Sequence, residues 1–386
     1  MIGFQYYNPA KIIFGEGSVK ELPRLLSEYK VSSLLLVYSG EFVKTLGIYD
    51  QIKDAAKELG IRFSENGNVV PNPSIELVRE LVAQGKRDNV DLVLAVGGGS
   101  SIDTAKAVAL GIPYEGDVWD FFSKGILPEK VLNIGVIATT ASSGSETSNA
   151  AILSSGDRKL GFEDDRIIPK FAVIDPSYTT GFPLYQTNVG IADVLSHLLE
   201  RYFSDEKNSD ATDYLIEGAI RALLINADRI SEDPGNINAR AEISWLAVVA
   251  HNNFLDAGRS ADWGSHRIEH ELSAQYGITH GEGMAVVFTA WTKYMAEVKP
   301  WRLALLATRV FGADAYDRNE RERALFLSAE LERFFKKLGL KTTLGELGID
   351  DSRFDLMAEH ATAGGPVGHY VKLDKERFKE ILKIAL

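Results

Sequence analysis

An α/β domain with a doubly wound, mostly parallel sheet (residues 1–182), followed by an all-α domain (residues 183–386), is the architecture this sequence predicts. Three observations predict it. The 386-residue length exceeds that of a usual single domain. In the first half, short apolar runs alternate with segments of helical spacing, the pattern of βα units. Past Pro183 the strand-like runs almost vanish and helical spacing continues to the end of the chain.

The elements follow in order. Residues 31–38 (VSSLLLVY) form an apolar, β-branched run with Gly40 close behind. Residues 49–59 read as an amphipathic helix that stops at Gly60, a normal residue just past a helix end. A second helix is expected over residues 74–84, after Pro73. Residues 91–96 (DLVLAV) are continuously apolar, as a strand buried on both faces must be. They run into Gly97-Gly98-Gly99-Ser100, with Ser100 as a possible cap, and a helix over 101–109. Residues 133–138 and 171–174 look like further buried strands. Helical spacing then covers 189–203, 211–225, 239–254, 265–276, 280–297, 320–338, 351–363 and 374–384, and Gly364-Gly365-Pro366 reads as a turn.

Composition narrows the chemistry. With 54 acidic against 42 basic residues the formal net charge is -12, which argues against nucleic-acid binding, since that needs a basic face. There are no cysteines, which excludes disulfides, thiolate zinc sites, iron–sulfur clusters and cysteine nucleophiles. Any metal must use His, Asp or Glu. Residues 1–15 show no basic segment leading into an apolar run, and no apolar stretch approaches 18 residues. A cytoplasmic chain with no membrane partner is expected.

Two loops suit a dinucleotide. At Gly97-Gly98-Gly99-Ser100 the missing side chains let backbone N–H groups approach a pyrophosphate at a helix N-terminus, with Asp103 one turn further on. Residues 137–146 (IATTASSGSE) follow another apparent strand, and their small hydroxyls suit a phosphate or carboxamide. Either loop alone is also an ordinary turn. Together, at the carboxyl ends of parallel strands, they stand where open α/β sheets bind ligands.

The histidines carry the sharpest signal. Asp193 and His197 are spaced i, i+4 in one helical run, which puts a carboxylate and an imidazole on one face. His266 and His270 repeat that spacing, and His280 opens the next helix, so three of the seven histidines lie within residues 265–280. Each pair alone also reads as a surface ion pair or core contact. In combination, one carboxylate and several imidazoles suit Zn²⁺ or Fe²⁺ better than the oxygen-seeking Mg²⁺ or Ca²⁺. His251, His360 and His369 lack such spacing and are assigned to structure.

The segments GGGSSID (97–103), TTASSGSE (139–146), GIADVLSHLLERYF (190–203) and DWGSHRIEHELSAQYGITHGEGMA (262–285) resemble the iron-containing (group III) alcohol dehydrogenase family, in particular its butanol dehydrogenase and broad aldehyde reductase branch. The likeness runs over essentially the whole chain. It implies a Rossmann-like first domain, a helical second domain, homodimers, and hydride transfer between NADP or NAD and a small primary alcohol or aldehyde. The metal ligands implied are Asp193, His197, His266 and His280 around Fe²⁺ or Zn²⁺, with His270 as the catalytic proton relay. Gly98, Gly99, Ser100, Asp103, Thr139, Thr140 and Ser143 are implied to line the dinucleotide, and Lys159 to sit near the nicotinamide ribose.

The sequence departs from the family pattern in three places. Ser143 replaces a threonine, Asn188 stands where an aliphatic residue is usual, and Ser39-Gly40-Glu41-Phe42 follows the first apolar run. NAD-preferring relatives carry an acid at the position of Gly40, so Gly40 favours NADP while Glu41 beside it opposes the extra phosphate. Two other functions use similar parts. A phosphate-substrate enzyme of dehydroquinate synthase or glycerol-phosphate dehydrogenase type needs a basic cluster, whereas Arg267 is the only cation between His266 and His280. A metallo-hydrolase needs the metal but neither loop.

Overall fold

The computed structural model describes residues 1–386. Six strands make one parallel sheet: β1 (Lys11–Phe14), β2 (Ser33–Tyr38), β3 (Arg62–Asn66), β4 (Leu92–Gly97), β5 (Asn133–Ala138) and, further along the chain, Phe171–Ile174. Between β5 and that last strand, β6 (Ala150–Ser155) and β7 (Arg158–Glu163) form a separate antiparallel hairpin, which makes Phe171–Ile174 β8. The spatial order is β1-β8-β5-β4-β2-β3. The helices of this half are α1 (Leu22–Glu28), α2 (Phe42–Thr45), α3 (Ile48–Glu58), α4 (Ile75–Arg87), α5 (Gly99–Gly111) and α6 (Trp119–Lys124).

Every residue of β2 and β4 is buried, which is why the two segments are continuously apolar. Alternation along the strands sends their side chains to two cores. Leu35, Val37, Val93 and Ala95 join residues of α4, α5 and α6, while Leu34, Leu36, Leu92 and Leu94 join residues of α1 and α3. The helix after β2 and the helix after β4 therefore lie on opposite faces. Because β2 and β4 are neighbours, their carboxyl ends flank a crevice of the kind that binds ligands in doubly wound sheets.

The chain divides into two compact units. One comprises Tyr7–Phe182 and Gly235–Asn252, and the other Met1–Tyr6, Pro183–Pro234 and Asn253–Leu386. Two short segments, Met1–Tyr6 and Gly235–Asn252, are exchanged between the units relative to chain order. Gly235–Asn252 joins the sheet unit for physical reasons: Trp245 meets Phe14 edge-on at 6.0 Å, and the Arg240 guanidinium donates to the Thr179 carbonyl.

The helices of the second half are α7 (Leu184–Tyr202), α8 (Asp210–Glu232), α9 (Ile237–His251, in the sheet unit), α10 (Gly264–Tyr276), α11 (His280–Val298), α12 (Trp301–Phe311), α13 (Glu320–Lys337), α14 (Phe354–Thr362) and α15 (Lys375–Ala385). In the helical unit α11 is central. It is buried on nearly every side, as an apolar run without a polar face requires, and packs on α7, α10, α13 and α15. None of the helices is long and apolar enough to cross a membrane.

Candidate metal centre and dinucleotide loops

Three helices of the helical unit bring one carboxylate and three imidazoles together. Asp193 and His197 stand one turn apart on α7, His266 lies in the first turn of α10, and His280 is the first residue of α11. Their ligand atoms all lie within 4.8 Å of one another. His266 is centred 5.0 Å from His197 and 5.2 Å from His280. The Asp193 carboxylate lies 3.7 Å from His197 Nδ1 and 3.5 Å from His280 Nε2. Four ligand atoms about 2.0–2.2 Å from one ion in a tetrahedral arrangement sit about 3.3–3.6 Å apart, so the two Asp193 contacts are close to that spacing and the widest pair would close by about 1 Å. The set fits Zn²⁺ or Fe²⁺.

Two buried carboxylates outside this set hold the rings. Glu200 Oε1 accepts from His266 Nδ1 at 2.7 Å, and Glu269 Oε2 accepts from His280 Nδ1. A carboxylate accepting at Nδ1 favours the Nδ1–H form of each imidazole, which leaves Nε2 turned away from the glutamates. Burial raises the carboxyl of Glu200, and that of Asp262, above the usual range. His270, partly exposed, is centred 6.3 Å from His266 and 5.9 Å from His280. It stands beside the four-residue set, outside it.

Trp263 and Arg201 complete the surroundings. Trp263, just before α10, has a left-handed backbone at φ 59, unusual for a bulky residue, and its ring lies 5.0 Å from His266. The Arg201 guanidinium stacks 4.8 Å from the Trp263 ring centre, with Nε 3.3 Å from Asp256. Arg201 is thus a cation near the site that lies outside residues 266–280, and its charge is engaged within the fold.

In the sheet unit Gly40, Gly98, Gly99, Ser100, Thr139, Thr140 and Ser143 lie past the carboxyl ends of three adjacent strands, whereas Asp103 stands inside α5 and Lys159 on the separate hairpin. Gly97 of β4 pairs with Ala138 of β5, and the Thr139 amide donates to the Gly97 carbonyl at 3.1 Å. Gly40 follows β2 with a left-handed backbone. A β-carbon on Gly98 would collide with Thr140, and one on Gly99 would fall 2.8 Å from Ser143 Oγ, so the two loops are packed against each other through bare backbone. The first residue before α5 is Gly98, with no side chain bonded to the helix end. The expectation of a Ser100 cap is therefore corrected: the helix begins at Gly99, and Ser100 lies inside its first turn, its carbonyl accepting from Thr104. The helix end is left to backbone N–H groups, as an anion site requires.

Asp103 faces inward. Its oxygens accept from Ser145 Oγ at 2.6 Å and from the Ile152 amide at 3.1 Å, and burial raises its carboxyl. Below it, fully buried Lys106 donates to Ser145 Oγ at 2.9 Å and to the Ser148 and Ala150 carbonyls. Burial pulls this lysine down to about 8. The Ser143 carbonyl meets His251 Nδ1 at 2.5 Å, so His251 is tied to the hydroxyl-rich loop. Lys159, on β7, donates to Asn72 Oδ1 at 3.1 Å.

Glu200, Glu269, Lys106 and Arg201 are absent from the sequence reading. A signal existed for the first: Glu200 falls seven residues after Asp193 and three after His197, on the same helix face. Asn188 now has an account. It is buried, and its Nδ2 donates at 2.9 Å to the carbonyl of Leu338, the residue that ends α13, so it occupies a helix terminus an aliphatic side chain would leave unpaired.

Comparison with known proteins agrees with this geometry. Residues 9–176 match the family described as iron-containing alcohol dehydrogenase, and residues 187–386 its C-terminal part. The chain is 36% identical over 388 residues to the probable NADH-dependent butanol dehydrogenase 1 of Bacillus subtilis, covering all of both chains. It is 31% identical to the NADPH-dependent aldehyde reductase YqhD of Escherichia coli, covering 98% of each. The crystal structure of NADH-dependent butanol dehydrogenase A from Thermotoga maritima superposes with a TM-score of 0.94 at 35% identity, covering 99% of this chain and 98% of that one. By its two matched halves, its full-length relatives and its clustered Asp193, His197, His266 and His280, the chain belongs to the iron-containing alcohol dehydrogenase family.

Proposed function

We propose that this enzyme, a metal-dependent and NAD(P)-linked alcohol dehydrogenase or aldehyde reductase, interconverts small primary alcohols and aldehydes with Asp193, His197, His266 and His280 as the metal ligands. The convergence of those four side chains from three helices carries the reading. When bound, the ion supplies Lewis acidity towards a substrate oxygen and the dinucleotide supplies or accepts hydride.

The chain's own residues do the rest. The four ligands hold the ion on a rigid three-helix base. Glu200 and Glu269 keep Nε2 of His266 and His280 unprotonated. His270, partly exposed beside two ligands, carries a proton between the substrate oxygen and water. Gly98, Gly99 and Ser100 present backbone donors at the start of α5, and Thr139, Thr140 and Ser143 add hydroxyls. Asp103 anchors the second loop through Ser145, and Lys159 supplies a cation.

The preferred dinucleotide is NADP. Gly40 bears no acid, and the exposed Glu41 carboxylate is paired with Lys44 at 3.1 Å, which offsets its charge towards a 2′-phosphate. The working assembly is a homodimer in the cytoplasm. A phosphate-bearing substrate is disfavoured, because Arg201 is engaged by Asp256 and Arg267 points to solvent.

The test is metal analysis of the purified protein, followed by NADH and NADPH oxidation against short and medium aldehydes. Metal-dependent oxidation, faster with NADPH, is expected. Full activity in metal-stripped protein, or none with any aldehyde, would overturn the reading.

A further inference from the structure

Glu200 and Glu269 both have a relative exposure of 0%, yet each is a carboxylate. A buried carboxylate is costly unless its oxygens are hydrogen-bonded, so where those bonds go indicates what each residue is for. Glu200, on α7, sends both oxygens to α10. Oε1 accepts from the His266 amide at 3.0 Å, from His266 Nδ1 at 2.7 Å and from the Ser265 hydroxyl, while Oε2 accepts from the Trp263 amide at 2.7 Å. The residue before α10, Trp263, makes no side-chain cap of its own. Glu200 therefore caps α10 from another helix and, with the same oxygen, takes the ring N–H of the ligand in its first turn.

Glu269 repeats the arrangement one helix later. It sits on α10, three residues past His266, and accepts from Nδ1 of His280, the first residue of α11, and from Ser273 of its own helix. Room for it is provided by Gly283 on α11. A β-carbon there would fall 2.8 Å from Glu269 Oε1 and 2.9 Å from its Cγ. The glycine three residues after His280 is thus the notch into which the glutamate fits.

We propose that Glu200 and Glu269 are positioning residues that assemble the metal centre by hand-over: α7 supplies two ligands and the carboxylate that aims His266, and α10 supplies His266 and the carboxylate that aims His280. Each fixes one imidazole in rotation and in tautomer, so that Nε2 is directed to a common point before any ion arrives. The proposal rests on the metal reading above. Glu269 offers the cleaner test, because Glu200 also caps a helix and its loss would disturb α10 as a whole.

The experiment uses the full-length protein, stripped and titrated with Zn²⁺ against a chromophoric chelator, with thermal midpoints of the metal-free forms measured alongside. Glu269→Ala is expected to weaken Zn²⁺ binding about 10–100-fold, Glu269→Gln less, since an amide oxygen still accepts from Nδ1. With only seven histidines in the chain, ¹⁵N-histidine spectra of the metal-free protein are tractable. They should show the Nδ1–H tautomer at His280, lost in Glu269→Ala. Wild-type Zn²⁺ affinity in a folded Glu269→Ala variant, or an Nε2–H tautomer at His280, would overturn the proposal. His280→Ala separates the two readings. If it loses Zn²⁺ while Glu269→Ala keeps it, only the hand-over fails; if neither loses Zn²⁺, the ion is not held here and both fail.

Discussion

Gly281, the second residue of α11, packs its bare α-carbon against the backbone of Val189 in α7. A β-carbon at Gly281 would lie 3.0 Å from the Val189 carbonyl carbon and closer still to its oxygen. Because the obstacle is helix backbone, no side-chain rotation relieves it. The two helices approach this closely beside Asp193 and His280, so the glycine sets the separation of two members of the Asp/His cluster.

Gly281→Ala is therefore expected to push α11 away from α7, with Zn²⁺ affinity reduced at least tenfold and a stability loss of about 1–3 kcal/mol from overpacking. Gly218→Ala is the control. It sits exposed inside α8 with nothing within 4 Å of the added carbon, and should raise stability by about 0.5–1 kcal/mol without affecting metal. Chelator competition and denaturant unfolding read both.

Asn188 gives a second, independent expectation. Its Nδ2 bonds the Leu338 carbonyl, while its Oδ1 is buried without a hydrogen-bond partner. Asn188→Leu exchanges one lost bond for one relieved orphan oxygen, so its net effect should stay within about 1 kcal/mol. Asn188→Ala adds a cavity and should cost about 1–3 kcal/mol. A loss well above about 1 kcal/mol in Asn188→Leu would contradict this balance of one bond against one orphan oxygen.

The fold was largely legible in the sequence, for reasons that particular residues make plain. β2 and β4 are buried on both faces, so continuous apolar runs betray them. β3, an edge strand reading RFSEN, has no buried face and so no pattern. The association of α9 with the sheet unit depends on contacts such as Trp245 with Phe14, far apart in sequence. Part of the Asp/His cluster was readable because helical periodicity places Asp193 and His197 together. Its supporting carboxylates were not, because Glu200 reaches His266 and Glu269 reaches His280 only through helix packing.

Glu146, at the end of the hydroxyl-rich loop, makes the stability pH-dependent. Burial pushes its carboxyl up to about 7, above an unfolded value near 4.5. The folded form holds its proton more tightly, so this group's stabilising contribution is full below pH 4.5 and is lost as pH rises through 7. Glu146→Gln should accordingly be more stable than the parent at pH 8, by about 1–2 kcal/mol, with the difference shrinking towards pH 5. A difference independent of pH would remove Glu146 from this role.

The glycine loop has its own test. Gly98→Ala places a β-carbon into Thr140, so the two loops must separate. NADPH affinity, followed by nicotinamide fluorescence, should fall at least tenfold while Zn²⁺ affinity is unchanged. Unaltered NADPH binding would mean the pyrophosphate lies elsewhere.

The most direct measurement of the central claim is an anomalous difference map from crystals of the protein grown with Zn²⁺ and recorded at the zinc edge. One strong peak is expected, about 2.0–2.2 Å from a carboxylate oxygen of Asp193 and from ring nitrogens of His197, His266 and His280. A map with no peak among those four side chains, in crystals that show zinc elsewhere, would contradict it.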